Sequence, residues 1–163
     1  MIKINLDTEK KIDEQDFIQK AIKIAENVLE SNILEQSPLN KIGFEQNNTS
    51  IDIFLCQNDT IQTINKDYRG KDKPTDVITF ALFADSEPEM RIITDDEIPL
   101  GEIIISLEQI EAQAKENLKT FEEELYFILA HGILHLFGFT HKTDEELEKM
   151  IEIQQRLVRD VKI

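Results

Sequence analysis

The sequence predicts an α+β fold, one sheet layer covered by helices, in a single domain spanning residues 1–163. Two observations lead there. Short runs that alternate with period two, or that are rich in β-branched residues, are interleaved with amphipathic stretches of helical period. A chain of 163 residues without internal repeats or low-complexity segments is also the size of one compact domain.

The elements follow in order. Ile2, Ile4 and Leu6 alternate with polar residues, as a half-buried strand does. Over 13–31 the apolar positions 17, 18, 21, 22, 24, 25, 28 and 29 follow helical spacing, and Ser37-Pro38 closes the segment. The runs 41–44 and 50–56 flank Asn47-Asn48, whose amides favour turns, and form a hairpin or successive strands. Asn58 is placed to cap a short helix running to about Lys66. Segments 77–83 and 101–106 read as strands, and 85–99, with six acids and two prolines, as a solvated loop. Thr120-x-x-Glu123 and Thr143-x-x-Glu146 match capping boxes, and three helices follow over about 107–118, 121–137 and 144–161. The total is about four strands and about five helices.

Composition closes off several classes. Thirty-three acidic against 18 basic side chains give a formal charge of −15, which opposes nonspecific binding to nucleic acid or anionic lipid, so any nucleic-acid role must rest on a local patch. The N-terminal residues lack the apolar region of a secretion signal. The most apolar stretch, 127–139, is interrupted by His131 and His135 and falls short of the ~20 residues a membrane-spanning helix needs. The single cysteine, Cys56, has no disulfide partner within the chain and fits a reducing compartment. The expected setting is cytoplasmic, with no membrane partner.

The chemistry concentrates in His131-Gly-Ile-Leu-His-Leu-Phe-Gly-Phe-Thr-His141, which holds all three histidines of the chain. His131 and His135 are four apart on a helix, so their rings leave one face about 5–6 Å apart at Cβ, close enough to share an ion. Gly138 ends the helix and can turn the chain so that His141 returns to the same point. Three neutral imidazoles around one divalent ion leave a fourth tetrahedral position for water, as a catalytic zinc site requires. A lone histidine on an apolar face is usually a satisfied core residue, but two buried one turn apart each need a partner, and one metal serves both.

The spacing H-x3-H-x2-G-x2-H is shared with metzincin proteases, but Gly132 stands where those enzymes carry their general-base Glu. Met150 lies in an amphipathic helix, where a core role outweighs that of a Met-turn. A second segment, 64–80, runs against the overall charge: Lys66, Arg69, Lys71 and Lys73 occupy one turn-rich stretch, and an Arg fork clamps phosphate oxygens well. Balance by Asp67 and Asp72 in a plain solvated loop is the competing reading.

The segment Tyr68-Arg-Gly-Lys-Asp-Lys-Pro-Thr-Asp-Val-Ile-Thr-Phe80 resembles the YRxKDxPTDVxSF signature of the YbeY family of bacterial endoribonucleases and rRNA maturation factors. Residues 131–141 resemble the same family's HGxLHLxGxDH, and 101–105 its GDIxI stretch, with Thr140 and Glu102 where Asp is usual. The resemblance implies a zincin-like α+β domain with a small mixed sheet and one zinc ion held by His131, His135 and His141. It also implies activity dependent on Arg69 and cleavage of single-stranded RNA at the 3′ end of small-subunit (16S) rRNA, in ribosome biogenesis and quality control.

The resulting expectation is a zinc-dependent RNA hydrolase. Arg69, always protonated, stabilises charge on the phosphate, and Lys66, Lys71 and Lys73 bind substrate. The base is metal hydroxide or a carboxylate from elsewhere, for which Asp76 is the candidate. Expected partners are rRNA, small-subunit ribosomal proteins and a ribosome-assembly GTPase, with no DNA. Two rivals remain: a metal-dependent hydrolase of another substrate, such as a peptidase, and a non-catalytic ribosome assembly factor with a structural zinc.

Overall fold

The computed structural model describes residues 1–39, 44, 48–87 and 97–163. In chain order its elements are β1 (Ile2–Thr8), α1 (Glu14–Glu30), a 3-10 turn (Asn32–Gln36), β2 (Asn48–Cys56), α2 (Asn58–Arg69), β3 (Val77–Ala81), β4 (Glu97–Ser106), α3 (Leu107–Glu116), α4 (Phe121–Leu136) and α5 (Asp144–Arg159). The strands form one mixed sheet in the order β1-β2-β4-β3, parallel from β1 through β4 and antiparallel between β4 and β3. This is the expected α+β architecture, with four strands and five α-helices among the described residues.

Alternation along β2 divides the two faces of the sheet. Ile51, Ile53 and Leu55 enter the main core with residues of α1, α4 and α5, while Cys56 joins a smaller cluster with Ile61 of α2, Ile78 and Ile104. Helix α4 is buried along most of its length and lies close against β4 because both surfaces carry glycine. A Cβ on Gly132 would stand 2.9 Å from Ile103 Cγ2. Gly101 has φ +138°, and a Cβ there would meet the Phe80 carbonyl oxygen at 1.9 Å.

Several boundaries differ from the sequence reading. Residues 97–99, expected in a loop, begin β4: Ile98 is fully buried and pairs with Thr49. Pro99 is tolerated there because β3 pairs β4 only over 101–105. The rest of that expected loop, 88–96, lies outside the described residues, as do 40–43 and 45–47; Phe44 is buried against Phe137, ring centroids 5.4 Å apart. Helix α2 continues past Lys66 to Arg69 and stops at Gly70, whose φ of +69° and bonds to the Asn65 and Lys66 carbonyls form its cap.

Asn58 does not cap α2; it is the first helical residue, and Gln57 at the cap position offers no side-chain bond. Two distant carboxylates satisfy the orphan amides instead. Glu9 accepts from Gln57 N at 2.9 Å and Glu108 from Asn58 N at 3.0 Å, where negative charge also meets the helix dipole. The Thr120 box is complete, whereas at Thr143 only half forms, since Glu146 accepts from Lys142 N at 2.7 Å rather than from Thr143. Replacing Glu108 with Ala is expected to cost about 1 kcal/mol, measured as a lower denaturation midpoint with an unchanged m-value.

Candidate metal centre

Helix α4 presents His131 and His135 on one face and then ends in a turn that the sequence dictates. Gly138, at φ +93°, donates to the His135 carbonyl at 3.0 Å, and Phe139 N donates to the Leu134 carbonyl at 3.0 Å, the two bonds of a Schellman motif. The reversal brings His141 back, so that ligand nitrogens of the three histidines lie within 4.8 Å of one another. The three rings are neither fully buried nor fully exposed.

Hydrogen bonds fix where the ring protons sit. Gln154 Nε2 donates to the Phe127 carbonyl at 3.2 Å, which leaves Gln154 Oε1 facing His131 Nδ1 at 3.0 Å. His135 Nδ1 lies 2.7 Å from the Phe139 carbonyl. Both oxygens only accept, so both Nδ1 atoms carry the proton, and each neutral ring is left with a bare lone pair at Nε2. Those two Nε2 atoms face each other at 2.9 Å.

A cation between them relieves the clash of lone pairs. A proton does not serve near neutrality, because burial, reinforced by the neighbouring His131, pushes His135 down to about 4, and burial also lowers His131. Two neutral imidazoles with lone pairs turned to one point, joined by a third histidine with a ring nitrogen within 4.8 Å of theirs, are the donor set a divalent transition metal takes, so the residues present fit such an ion.

The other sequence candidates fall around this centre to different degrees. Asp76, just before β3, is near enough to act electrostatically on His131. Its carboxylate is held by Val77 N at 2.8 Å, by Thr75 Oγ1 at 3.3 Å and by Gln113 Nε2 at 3.2 Å. Asp85, past the other end of β3, acts likewise on His135. Arg69, Lys71 and Lys73 are exposed and make no side-chain ion pair among the described residues, while Lys66 pairs with Asp72 at 3.5 Å. Nothing described joins Arg69 to the histidines directly; the loop 70–76 links its helix to Asp76.

Glu102 lies on the sheet face opposite α4, in register with Asp52 and Phe80, its pKa raised by burial and by the Asp52 charge. Thr140 is exposed and holds no histidine ring among the described residues. Met150 is a buried core residue. Sequence reasoning missed Gln154, although a polar residue in a stripe with Met150 and Leu157 was a visible signal. It also missed Asp85 and Gln113.

The fold and the site define a small α+β protein whose helix-turn segment offers three converging histidines to a metal ion. Residues 3–162 match the model of the family described as Endoribonuclease YbeY, and the chain belongs to that family. It is 46% identical over 112 residues to Endoribonuclease YbeY of Bacillus pumilus, covering 68% of this chain and 70% of that one. It is 42% identical over 147 residues to the Geobacillus sp. protein of the same name, covering 88% and 92%. The solution structure of TM1509 from Thermotoga maritima superposes with a TM-score of 0.56 at 26% identity, covering 98% of this chain and 91% of that one.

The pKa of His135 makes a prediction for the metal-free protein. Folded, His135 refuses a proton until about pH 4, whereas unfolded it takes one near 6.5. Its contribution to stability is therefore complete above 6.5 and is lost as pH falls toward 4. Thermal melts across this range are expected to show a falling Tm, with a shallower fall in His135→Asn.

Proposed function

We propose that this chain is a zinc-dependent endoribonuclease of the cytoplasm that cleaves single-stranded RNA in maturing the 3′ end of small-subunit rRNA and in ribosome quality control. The observation that carries the reading is the convergence of His131, His135 and His141 in a chain that matches the Endoribonuclease YbeY family over nearly its whole length. A divalent ion held there supplies Lewis acidity toward a phosphate oxygen and lowers the pKa of water.

The protein's own residues do the rest. Arg69 stabilises negative charge that builds on the phosphorus centre, and Lys66, Lys71 and Lys73 hold the adjoining backbone phosphates. Asp76, whose charge acts on His131, is the base in this reading: Val77 N and Thr75 Oγ1 donate to Oδ1 and Gln113 Nε2 to Oδ2, which leaves Oδ2 a free lone pair for a proton. A peptidase reading loses support at Gly132, whose Cβ position is filled by Ile103, so no carboxylate occupies the place of a metzincin base.

The charge of −15 favours a second role alongside catalysis, docking to basic small-subunit ribosomal proteins, with a ribosome-assembly GTPase as a further partner. The test is cleavage of a precursor bearing the small-subunit rRNA 3′ end by zinc-loaded wild type, Arg69→Ala and His135→Ala purified in parallel. Wild type is expected to cut, Arg69→Ala to cut about 10²–10³-fold more slowly, and His135→Ala to lose both zinc and cleavage. Equal cutting by all three, or by none, refutes intrinsic nuclease activity and leaves the assembly-factor role.

A further inference from the structure

Gln154 is 2% exposed, and in α5 its buried companions are Met150 and Leu157. An amide in such a stripe is costly unless both of its ends are hydrogen-bonded. Both are, and both to α4: Nε2 donates to the Phe127 carbonyl at 3.2 Å, and Oε1 accepts from His131 Nδ1 at 3.0 Å. Phe127 precedes His131 by four residues, so one side chain spans one turn of the neighbouring helix. Turning the amide over would set Oε1 against the Phe127 carbonyl, oxygen against oxygen. The backbone of α4 thus orients Gln154, and Gln154 in turn leaves His131 a single place for its ring proton.

We propose that Gln154 is a positioning residue for the metal centre, holding His131 in the Nδ1–H tautomer with Nε2 turned to the ion. The inference rests on the three-histidine metal site described above and adds a control that lies outside its motif. His135 is held in the same tautomer by the Phe139 carbonyl, a backbone group no substitution removes. His141 has no such hydrogen bond among the described residues. Of the three ligands, His131 is therefore the one whose orientation depends on a replaceable side chain, and that side chain comes from α5. Outer partners of metal-bound histidines commonly change affinity by about 10–100-fold when removed.

The experiment uses the full chain as wild type, Gln154→Met and Gln154→Glu. Nitrogen-15 NMR of the metal-free protein reads which nitrogen of His131 bears the proton. Competition with a chromophoric chelator reads zinc affinity, and cobalt(II) absorption reads the ligand field. Wild type is expected to show Nδ1–H at His131. Gln154→Met is expected to shift the proton toward Nε2, weaken zinc about 10–100-fold and alter the cobalt spectrum. Gln154→Glu, whose protonated carboxyl keeps an acceptor for His131 Nδ1 and an O–H for the Phe127 carbonyl, is expected to retain Nδ1–H and to bind zinc within a few-fold of wild type, a rescue that filling volume alone does not give.

A folded Gln154→Met with Nδ1–H and undiminished zinc affinity overturns the proposal. If Gln154→Met does not fold, Gln154→Glu decides alone, and loss of Nδ1–H or of zinc in it overturns the proposal too. Wild type that binds neither zinc nor cobalt removes the metal centre itself, a failure separable from the first because the tautomer is read without metal.

Discussion

Two imidazole nitrogens with bare lone pairs, held 2.9 Å apart on one face of α4, repel each other unless a cation stands between them. Much of the fold serves to hold them there. Gly132 and Gly101 let α4 lie close to β4, which fixes the helix against the sheet. The Schellman turn at Gly138 returns both the Phe139 carbonyl to His135 and the chain to His141. At this turn a Cβ on Gly138 would stand 2.9 Å from Ser37 Oγ, a hydroxyl that itself donates to the Phe137 carbonyl, so the segment after α1 closes over the helix end. An ion at the centre would thus be compensation for an arrangement the polypeptide has already organised, which is the form preorganisation takes at a metal site.

Charge imposes a second constraint. At −15 the chain repels polyanions at long range, but that repulsion is screened over about 8 Å at physiological salt, and contact is decided locally. The local balance over 66–73 has the opposite sign, and among the described residues only Lys66 of its cations pairs with a carboxylate, Asp72 at 3.5 Å. On the proposed function, RNA reaches the centre along the exposed cations that lead from the end of α2 to Asp76. Binding of this kind is weak and salt-dependent by itself, and a basic protein partner that neutralises the acidic surface would raise it.

The sequence made legible whatever depends on short spacing. The period of 13–31 became α1 with Asp13 as its cap, and the three histidines met because i, i+4 spacing and a glycine turn are local geometry. What stayed hidden depends on chain-distant pairing. The N-terminus of α2 is satisfied by Glu9 and Glu108, each about fifty residues away in sequence, and two remote carboxylates perform the capping that local sequence assigns to Asn58. The start of β4 was obscured because acids and a proline dominate 95–99 in composition, while the burial of Ile98 against β2 decides the conformation. The role of Gln154 is hidden for the same reason: its partners lie on another helix, 23 and 27 residues earlier.

The comparison with metzincins shows how far a shared spacing carries function. Both patterns put two histidines one turn apart and a third beyond a glycine, and the convergence of the three rings follows from that alone. The catalytic base does not follow, because it depends on what the residue after the first histidine faces. Here that residue is Gly132, buried, with Ile103 Cγ2 2.9 Å from where its Cβ would be, so the helix surface that carries a carboxylate in those proteases is spent on packing against the sheet. Proton transfer is left to groups that approach the centre from other elements, and Asp76 and Asp85 at the two ends of β3 are carboxylates that do so electrostatically. The convergence of the three histidines is therefore readable from a motif, whereas a base depends on which chain-distant groups, such as Asp76 and Asp85, the fold brings within electrostatic reach of them.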